Sequence, residues 1–365
     1  MRVVYPPPRC RKVFAAAHVA AAVSADGVPV IDWESTLRFR EHLWAYGFGV
    51  AEAMDTAQRG MGLSWEQARE LIARSAARAA GAGRLDALAC GAGTDQLADG
   101  EEHPLRVIID AYAEQLAFVQ STGAQVILMA SRALAASARG PRDYLEVYGE
   151  LLKQADRPVI LHWLGEAFDP ALRGYWGGGG FDGAAATVLE LIDRAGGQVD
   201  GVKLSVLDEG REVSLRRRLP AGVRLYTGDD FNYASLIRGD ADGSHSDALL
   251  GAFAAITAPA AAALAALDRG DLAGYDAAME PTVPLSRLIF EPPTYHYKAG
   301  VAFLAWLNGL QPHFVMLDGL ERQRPAGHLI RLFELAAAAR ALTEPELAAI
   351  RMSEMLARSA HPGPV

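Results

Sequence analysis

The stretch Gly201-Val202-Lys203-Leu204-Ser205 decides how this sequence is interpreted. It follows a helical segment and has the pattern of a buried strand with a lysine in its middle. Because an ammonium group is costly to bury, such a lysine either ends the strand at a water-filled mouth or has a lowered pKa. A lysine with a lowered pKa attacks carbonyl carbons and forms a Schiff base. We predict this role for Lys203; the alternative is a surface lysine at a strand tip.

Other segments of the chain also have the pattern of strands, and helical segments separate most of them. They begin near residues 13, 48, 85, 124, 158, 223 and 243. With the Lys203 strand, this alternation is typical of a (β/α)8 TIM barrel, which usually needs about 250 residues. A doubly wound open sheet is the competing architecture, but no G-x-G-x-x-G turn follows an early strand.

The segments after the last predicted strand are helical and rich in alanine. We therefore predict that residues 1–255 form the (β/α)8 catalytic barrel and that residues 256–365 form a C-terminal helical extension packed on it. Helices of this composition are usually packed structural elements, so we assign the chemistry to the barrel.

The charge of the chain argues against two classes of partner. The 365 residues have a formal net charge of -9, whereas nucleic acids and anionic membranes reward a basic surface. No apolar run approaches the length that spans a bilayer, and the first residues lack the apolar core of a secretory signal. We expect a cytoplasmic protein that binds neither nucleic acid nor membrane.

Polar residues follow the predicted strand ends, where the active site of such a barrel lies. Each has a structural alternative: His162 could be a core histidine with its hydrogen bonds satisfied, and Asp229 could cap the next helix. As substrate-binding or catalytic candidates we take His18, Asp55, Thr56, Arg59, Arg132, His162, Lys203, Asp229 and His245.

Four blocks of the chain carry a resemblance to a known family. They are Gly201-Val202-Lys203, Tyr226-Thr227-Gly228-Asp229-Asp230, Ile289-Phe290-Glu291 through Lys298-Ala299, and residues 47–65. In this order, they resemble the strand-six Gly-Ile-Lys, the Ser-Gly-Asp-Asp, the helical-tail block and the threonine loop of the dihydrodipicolinate synthase and N-acetylneuraminate lyase family of class I aldolases. The stretch 52–62 departs from the family pattern and suggests a divergent subfamily.

The resemblance implies that Lys203 forms the Schiff base and that Thr56 positions the proton shuttle or a substrate oxygen. The family's proton-relaying tyrosine falls at His162, and histidine can exchange protons near neutral pH. Asp55 and Arg59 stand where the family has a threonine-rich carboxylate cradle. Because an added carboxylate repels an anionic ligand, pyruvate is a poorer substrate guess than the resemblance alone implies.

We therefore predict a Schiff-base-forming aldolase, lyase or hydro-lyase that acts on a small carbonyl compound, such as a sugar-acid-like 2-oxo acid. This mechanism needs no metal or organic cofactor. The resemblance also implies a homo-dimer or homo-tetramer.

Two other functions remain open at this stage. Histidines and carboxylates among the candidates would suit a metal-dependent isomerase or class II lyase, although no two histidines share a local ligand spacing. Loss of the family's tyrosine and of one threonine also allows a non-catalytic barrel that binds a sugar.

Overall fold

Parallel strands form the core of the protein, and a computed structural model describes residues 5–98 and 100–360. In these ranges the strands are β1 (Val13–Ala16), β2 (Ala21–Val23), β3 (Pro29–Ile31), β4 (Gly49–Glu52), β5 (Leu88–Ala92), β6 (Gln125–Leu128), β7 (Val159–Leu164), β8 (Val199–Ser205), β9 (Arg224–Thr227) and β10 (Asp247–Leu250). Eight of them form a closed barrel in the order β1-β10-β9-β8-β7-β6-β5-β4. The predicted (β/α)8 barrel is confirmed, and the open-sheet alternative is wrong.

Helices separate most of the barrel strands and continue beyond the last one. The α-helices of the described residues are α1 (Trp33–Ala45), α2 (Trp65–Gly81), α3 (Leu105–Ser121), α4 (Arg132–Ser137), α5 (Pro141–Leu152), α6 (Phe181–Arg194), α7 (Glu209–Arg216), α8 (Tyr233–Arg238), α9 (Ala252–Ala255), α10 (Thr257–Leu267), α11 (Leu272–Met279), α12 (Val283–Ile289), α13 (Tyr297–Leu307), α14 (Ala326–Ala338) and α15 (Pro345–Ala360). Short 3-10 helices lie at Asp55–Ala57, Leu85–Ala87, Pro170–Leu172, Glu280–Thr282, Thr294–His296 and Leu317–Gln323.

The chain divides into two compact units that interleave along the sequence. The first unit comprises the described residues up to Val50, Asp55–Gly62 and the residues from Leu250 onward. The second comprises Ala51–Met54 and Leu63–Leu249. The separation of a barrel at 1–255 from an extension at 256–365 stays a prediction.

In the second unit, register shows which face of β8 is the inner one. Lys203 pairs with His162 on β7 and with Tyr226 on β9. Neighbouring residues alternate between the two faces of a strand, so Thr227 faces away from Tyr226. The Thr227 hydroxyl donates to Glu212 on helix α7, which identifies the helix side of the sheet. Lys203, His162 and Tyr226 therefore point to the barrel interior.

The sequence did not predict the small antiparallel sheet that follows β1. Strands β2 and β3 pair from Ala21 with Ile31 to Val23 with Pro29. Gly27 lies in the turn between them with φ +79, a conformation that glycine adopts without strain. Three-residue strands carry too little hydrophobic pattern to be recognised from sequence.

In the first unit, helix α13 is buried along its whole length. All of its residues from Tyr297 to Leu307 are buried, because the helix is apolar on every side. Such a helix packs as a core element, and it brings its first residue, Tyr297, into the interior of this unit.

Within the described residues, no helix has both the length and the apolar character needed to cross a membrane.

Candidate active site

Lys203 lies near the carboxyl end of β8, and only 5% of its surface is exposed. The chain makes room for it at Gly228, just after β9. A Cβ at position 228 would lie 3.0 Å from Lys203 Cε and 2.1 Å from Ser205 Oγ. Because glycine has no Cβ, the backbone at position 228 can lie close to the aliphatic part of the Lys203 side chain. Any other residue at this position would fill that space.

His162 lies beside Lys203 on the neighbouring strand. Strand β7 continues past His162 to Leu164, so His162 lies within the strand and not after it. It is 1% exposed and pairs in register with Lys203. Adjacent strands are separated by about 4.8 Å, so the two side chains leave the sheet as neighbours on one face. An imidazole beside an amine can accept and return the protons of imine chemistry.

Ser205 belongs to the same face of β8 and was missed by the sequence analysis. It stands two residues after Lys203, is 1% exposed, and its hydroxyl has no hydrogen-bond partner within the described residues. A buried hydroxyl without a partner is costly, so a polar group of a bound molecule would stabilise it. The period of two from Lys203 was the signal that could have identified Ser205.

Asp229 organises the turn that follows β9. Its Oδ1 accepts hydrogen bonds from the backbone N–H groups of Phe231 (2.9 Å) and Asn232 (3.0 Å), and its Oδ2 accepts from Asn232 Nδ2 (2.8 Å). Burial raises the pKa of Asp229 above its ordinary value. Asp229 therefore holds the turn before helix α8 but is not its N-cap, which is Asn232. A substrate-binding role would be additional to this place in the turn.

Glu212 on α7 contacts the residues at the start of this turn, and the sequence analysis did not identify it as a functional candidate. It is fully buried; its Oε2 accepts from Thr227 Oγ1 (3.0 Å) and its Oε1 from Ser246 Oγ (2.7 Å). Burial raises the pKa of Glu212 to about 8 despite these hydrogen bonds. Thr227 Oγ1 in turn accepts from the backbone N–H of Asp229 (3.1 Å), so Glu212 supports the start of the turn.

Arg132 and His245 have different surroundings in the second unit. Arg132 begins helix α4 after β6, and its Nε lies 2.7 Å from Asp169 Oδ2 in a partly buried ion pair. His245 was expected at a carboxyl end of the barrel strands. That placement is wrong, because His245 precedes β10 at the amino end of this strand, is exposed, and contacts the carbonyl of Gly243.

The first unit holds three candidates in the segment after β4. Asp55 and Thr56 lie in a 3-10 helix, and Thr56 is 1% exposed. The Thr56 hydroxyl lies 2.7 Å from Tyr297 Oη, and Tyr297 donates to Asp55 Oδ2 at 2.6 Å. Arg59 follows in the same segment and is 7% exposed. The sequence did not single out Tyr297, because it is 241 residues from Thr56.

His18 follows β1 in the first unit and is held as a neutral imidazole. Gln311 Nε2 donates to the carbonyl of His313, so Gln311 Oε1 faces His18 Nε2 at 2.7 Å. His18 Nε2 therefore carries the proton, and Nδ1 keeps a lone pair that has no partner within the described residues. Burial lowers the pKa of His18 to about 4, so this ring accepts hydrogen bonds at neutral pH.

Across residues 5–98 and 100–360, no three His, Cys, Asp or Glu side chains are grouped so as to hold a metal ion.

Solved structures share the fold over nearly the whole chain. The dihydrodipicolinate synthase of Oceanobacillus iheyensis has a TM-score of 0.66 and 15% identity, covering 89% of this chain and 96% of that chain. The synthase of Bacillus clausii has a TM-score of 0.70 at 14% identity, over 91% and 99%. YagE of Escherichia coli K12, a prophage protein of the same family solved with pyruvate, has a TM-score of 0.69 at 13% identity, over 91% and 99%. A comparison with curated protein sequences finds no match.

These findings define the class of protein: a (β/α)8 barrel with the fold of the dihydrodipicolinate synthase family and a buried lysine on an inner strand. The predicted resemblance is confirmed at the level of fold. Within that class, the chain belongs to the family described as "Protein of unknown function (DUF993)", whose profile matches residues 2–360. This agrees with the divergent subfamily expected from the sequence.

Proposed function

We propose that the protein is a Schiff-base-forming lyase, an aldolase or hydro-lyase, with Lys203 as its nucleophile. The observation that carries this proposal is the pairing of buried Lys203 with buried His162 on the inner face of β7 and β8. A buried amine without full hydration favours its neutral form, and the neutral amine is the nucleophile.

The proposed reaction begins when Lys203 Nζ attacks the carbonyl carbon of the substrate. A C–N bond forms, and the carbonyl oxygen takes up a proton and later leaves as water. His162 carries protons between these atoms. The resulting iminium ion accepts the electron pair of a neighbouring C–C bond when that bond breaks, while the hydroxyl group of the departing fragment gives up its proton and becomes a carbonyl. The enamine that remains takes up a proton at carbon and becomes an imine again. In a hydro-lyase the iminium ion instead accepts the electron pair of a C–H bond, whose proton passes to a base, and a neighbouring hydroxyl group then takes up a proton and leaves as water. Hydrolysis of the imine then returns the free amine.

The proposed substrate is a small carbonyl compound with several hydroxyl groups, of the sugar-acid type. Neutral His18, Asp229 and the unpartnered Ser205 hydroxyl suit hydroxyl groups better than a second anion. Cationic Arg59 and Arg132 are proposed for an acid group, and Thr56 is proposed as the third catalytic residue. Asp55, first assigned to substrate binding, has its Oδ2 engaged by Tyr297.

Reductive trapping tests the proposal directly. Purified protein is incubated with sodium borohydride and one carbonyl probe at a time: pyruvate, hydroxypyruvate, dihydroxyacetone or glyceraldehyde. The mass of the Lys203 peptide is then measured by mass spectrometry. We expect a stable secondary amine at Lys203 with at least one of these probes. Buried Lys298 is the internal control, since its Nζ is occupied by the Tyr295 carbonyl (3.3 Å) and Met61 Sδ (3.4 Å).

Lys203→Met should lose the adduct and any turnover while remaining folded, because methionine fills similar volume without a charge. An unmodified Lys203 peptide with every probe would overturn the proposal.

We also propose that the protein assembles as a homo-dimer or homo-tetramer in the cytoplasm. One solved structure of a dihydrodipicolinate synthase variant is described as the first monomeric one, so assembly differs even among proteins of that fold. Light scattering of the purified chain gives its mass in solution; a single monomer mass would contradict this part.

A further inference from the structure

Strand β8 carries one residue more than its neighbour β7 where the two strands begin. Val159 of β7 pairs with Val199 of β8. The next residue of β7, Ile160, pairs with Gly201, so Asp200 is an extra residue on β8. Such a β-bulge is rare between parallel strands, disrupts the ladder locally and redirects side chains. Contacts outside the β7–β8 ladder must therefore stabilise it.

The bulge decides which face of β8 carries Lys203. With the bulge, Lys203 pairs with His162, and both face the barrel interior. Without the extra residue, every later pair would move by one position, and Lys203 would lie beside Trp163. That residue faces the helices, since its ring stacks on Phe181 of α6. A shift of one residue turns each side chain to the other face. The direction of the proposed nucleophile thus depends on one inserted residue.

Asp200 is held by Tyr226 on strand β9. The Tyr226 hydroxyl donates to Asp200 Oδ2 at 2.5 Å. Tyr226 is fully buried and pairs in register with Lys203, so its ring lies in the barrel interior. Burial raises the pKa of Tyr226, and the Asp200 carboxylate raises it further, so the hydroxyl keeps its proton and donates it. A carboxylate acceptor makes this hydrogen bond stronger than one between neutral groups.

The surroundings of Tyr226 favour Asp200 as its acceptor. A Cβ at position 201 would lie 2.7 Å from Tyr226 Cε2, so glycine at this position leaves room for the ring. Asp247 on β10 is the other carboxylate in register with Tyr226, and its Oδ2 lies 2.7 Å from Arg224 Nη1. Asp247 is therefore engaged by a cation, and the tyrosine hydroxyl bonds to the bulge.

We propose that the hydrogen bond from Tyr226 to Asp200 holds the bulge that turns Lys203 toward His162. Tyr226 and Asp200 are positioning residues, because they act through the register of β8 and not on the substrate. This inference rests on the proposed lyase function and adds two residues to the site that performs it.

The rate of adduct formation tests the positioning role. Protein is mixed with several concentrations of whichever of pyruvate, hydroxypyruvate, dihydroxyacetone or glyceraldehyde gives the Lys203 adduct, and samples are quenched with borohydride at set times. Tyr226→Phe keeps the ring and removes the hydroxyl. We expect the maximal rate to fall at least tenfold, because a misplacement of about 1 Å can cost about 10²-fold. The half-saturating concentration should change less than twofold, since no group that binds the probe is removed.

Variants of Asp200 separate the hydrogen bond from packing. Asp200→Ala removes the acceptor and should slow the reaction as much as Tyr226→Phe does. Asp200→Asn keeps an oxygen that accepts from Tyr226 and should stay within threefold of the wild type. Tyr144→Phe is the matched control: it removes the hydroxyl of another buried tyrosine, on helix α5, and should change the rate less than twofold.

The double variant Tyr226→Phe/Asp200→Ala should be no slower than either single variant, because both substitutions remove the same hydrogen bond. It leaves no carboxylate behind, so it also serves where a single variant does not fold. Thermal unfolding shows which variants are folded before rates are compared.

Amide hydrogen exchange measures the bulge without any probe. The peptide that covers Val199–Ser205 should exchange at least tenfold faster in Tyr226→Phe than in the wild type, and Asp200→Asn should exchange at nearly the wild-type rate.

The outcomes separate the two proposals. No adduct in the wild type with any probe would overturn the lyase function and the positioning role with it. An adduct in the wild type, together with a maximal rate in the folded double variant within threefold of wild type, would overturn only the positioning role. Equal losses in Asp200→Asn and Asp200→Ala would also overturn it, since the hydrogen bond would then not be the cause.

Discussion

Lys203 and His162 occupy the same register position on two neighbouring parallel strands, and both side chains are buried. Parallel pairing puts both on the inner face near the strands' carboxyl ends. A barrel core is normally filled by apolar side chains, so two adjacent ionisable groups there are an exception that function would explain.

Replacement of His162 should separate imine formation from later proton transfer. His162→Asn keeps a polar side chain of smaller size but removes the imidazole that is proposed to carry protons. We expect end-point trapping at Lys203 to survive. The exchange of the substrate's C–H hydrogen next to the carbonyl with D2O, followed by NMR, should become slower by about 10²-fold or more. The matched control is His103→Asn in the segment before α3. Exchange in His162→Asn that equals wild type would contradict the role proposed for His162.

Gly228→Ala should disturb the lysine directly. The added Cβ would meet Ser205 Oγ at 2.1 Å, Leu204 O at 2.9 Å and Lys203 Cε at 3.0 Å, so strand or turn must move. We expect lower stability, by about 1–3 kcal/mol as in other overpacked sites, and weaker trapping. Urea unfolding and peptide mass spectrometry measure the two effects.

Gly210→Ala in helix α7 is the control for this experiment. The nearest atom to its added Cβ is Asp208 Oδ1 at 3.5 Å, which is ordinary contact. Helix propensity predicts a gain of up to about 1 kcal/mol there. Wild-type trapping and stability in Gly228→Ala would show that the close approach at Gly228 has no importance.

Glu212 should make the protein less stable as the pH rises through neutrality. Its pKa is about 8 in the folded protein and ordinary in the unfolded chain, so between these values the folded state binds the extra proton. The contribution of Glu212 to stability is complete below pH 4.5 and is lost toward pH 8 by up to about 1.4 kcal/mol per pH unit. Urea unfolding at pH 6.5 to 8 measures this slope.

Glu212→Gln should flatten that part of the stability profile, because an amide keeps both hydroxyl contacts without titrating. The surface variant Glu190→Gln should keep the wild-type slope. Equal slopes in Glu212→Gln and wild type would show that Glu212 does not titrate in this range.

His18 should contribute a loss of stability in acid. Its pKa is lowered to about 4 in the folded protein, so below pH 6.5 the unfolded chain binds a proton that the folded state excludes. The contribution is complete above pH 6.5 and falls by up to about 1.4 kcal/mol per pH unit toward pH 4. The midpoints of urea unfolding at pH 7 and at pH 4.5 measure this loss of stability.

His18→Gln should reduce the difference between those two midpoints, whereas His313→Gln, at an exposed position, should not. If both variants keep the wild-type difference, another group causes the acid sensitivity.

The fold could be predicted largely from local pattern. The runs Val159–Leu164 and Val199–Ser205 are almost wholly buried, because helices cover one face of each strand and the other faces the barrel core. The lysine in the second run stood out for the same reason. The hairpin of β2 and β3 escaped prediction because its strands are too short to show a period.

The candidate site could be predicted only in part. His18, His162 and Asp229 were found because they lie at or near strand ends, whereas His245 was misplaced because the start of β10 was set too early. Tyr297 and Glu212 lie on helices, and nothing in their local sequence separates them from packing residues. Their importance depends on the hydroxyl groups that they meet.

The amino-acid sequence by itself determined the alternation of strands and helices and the presence of a lysine within a segment that has the pattern of a buried strand. Both follow from periodicity and from the cost of burying charge, which act over a few residues. Only the tertiary structure decided that Lys203 and His162 share a register and that Tyr297 bonds Thr56 across 241 residues. Barrel closure and helix packing set those contacts, because a hydrogen bond needs two atoms within about 3 Å and local pattern does not specify which distant atoms meet.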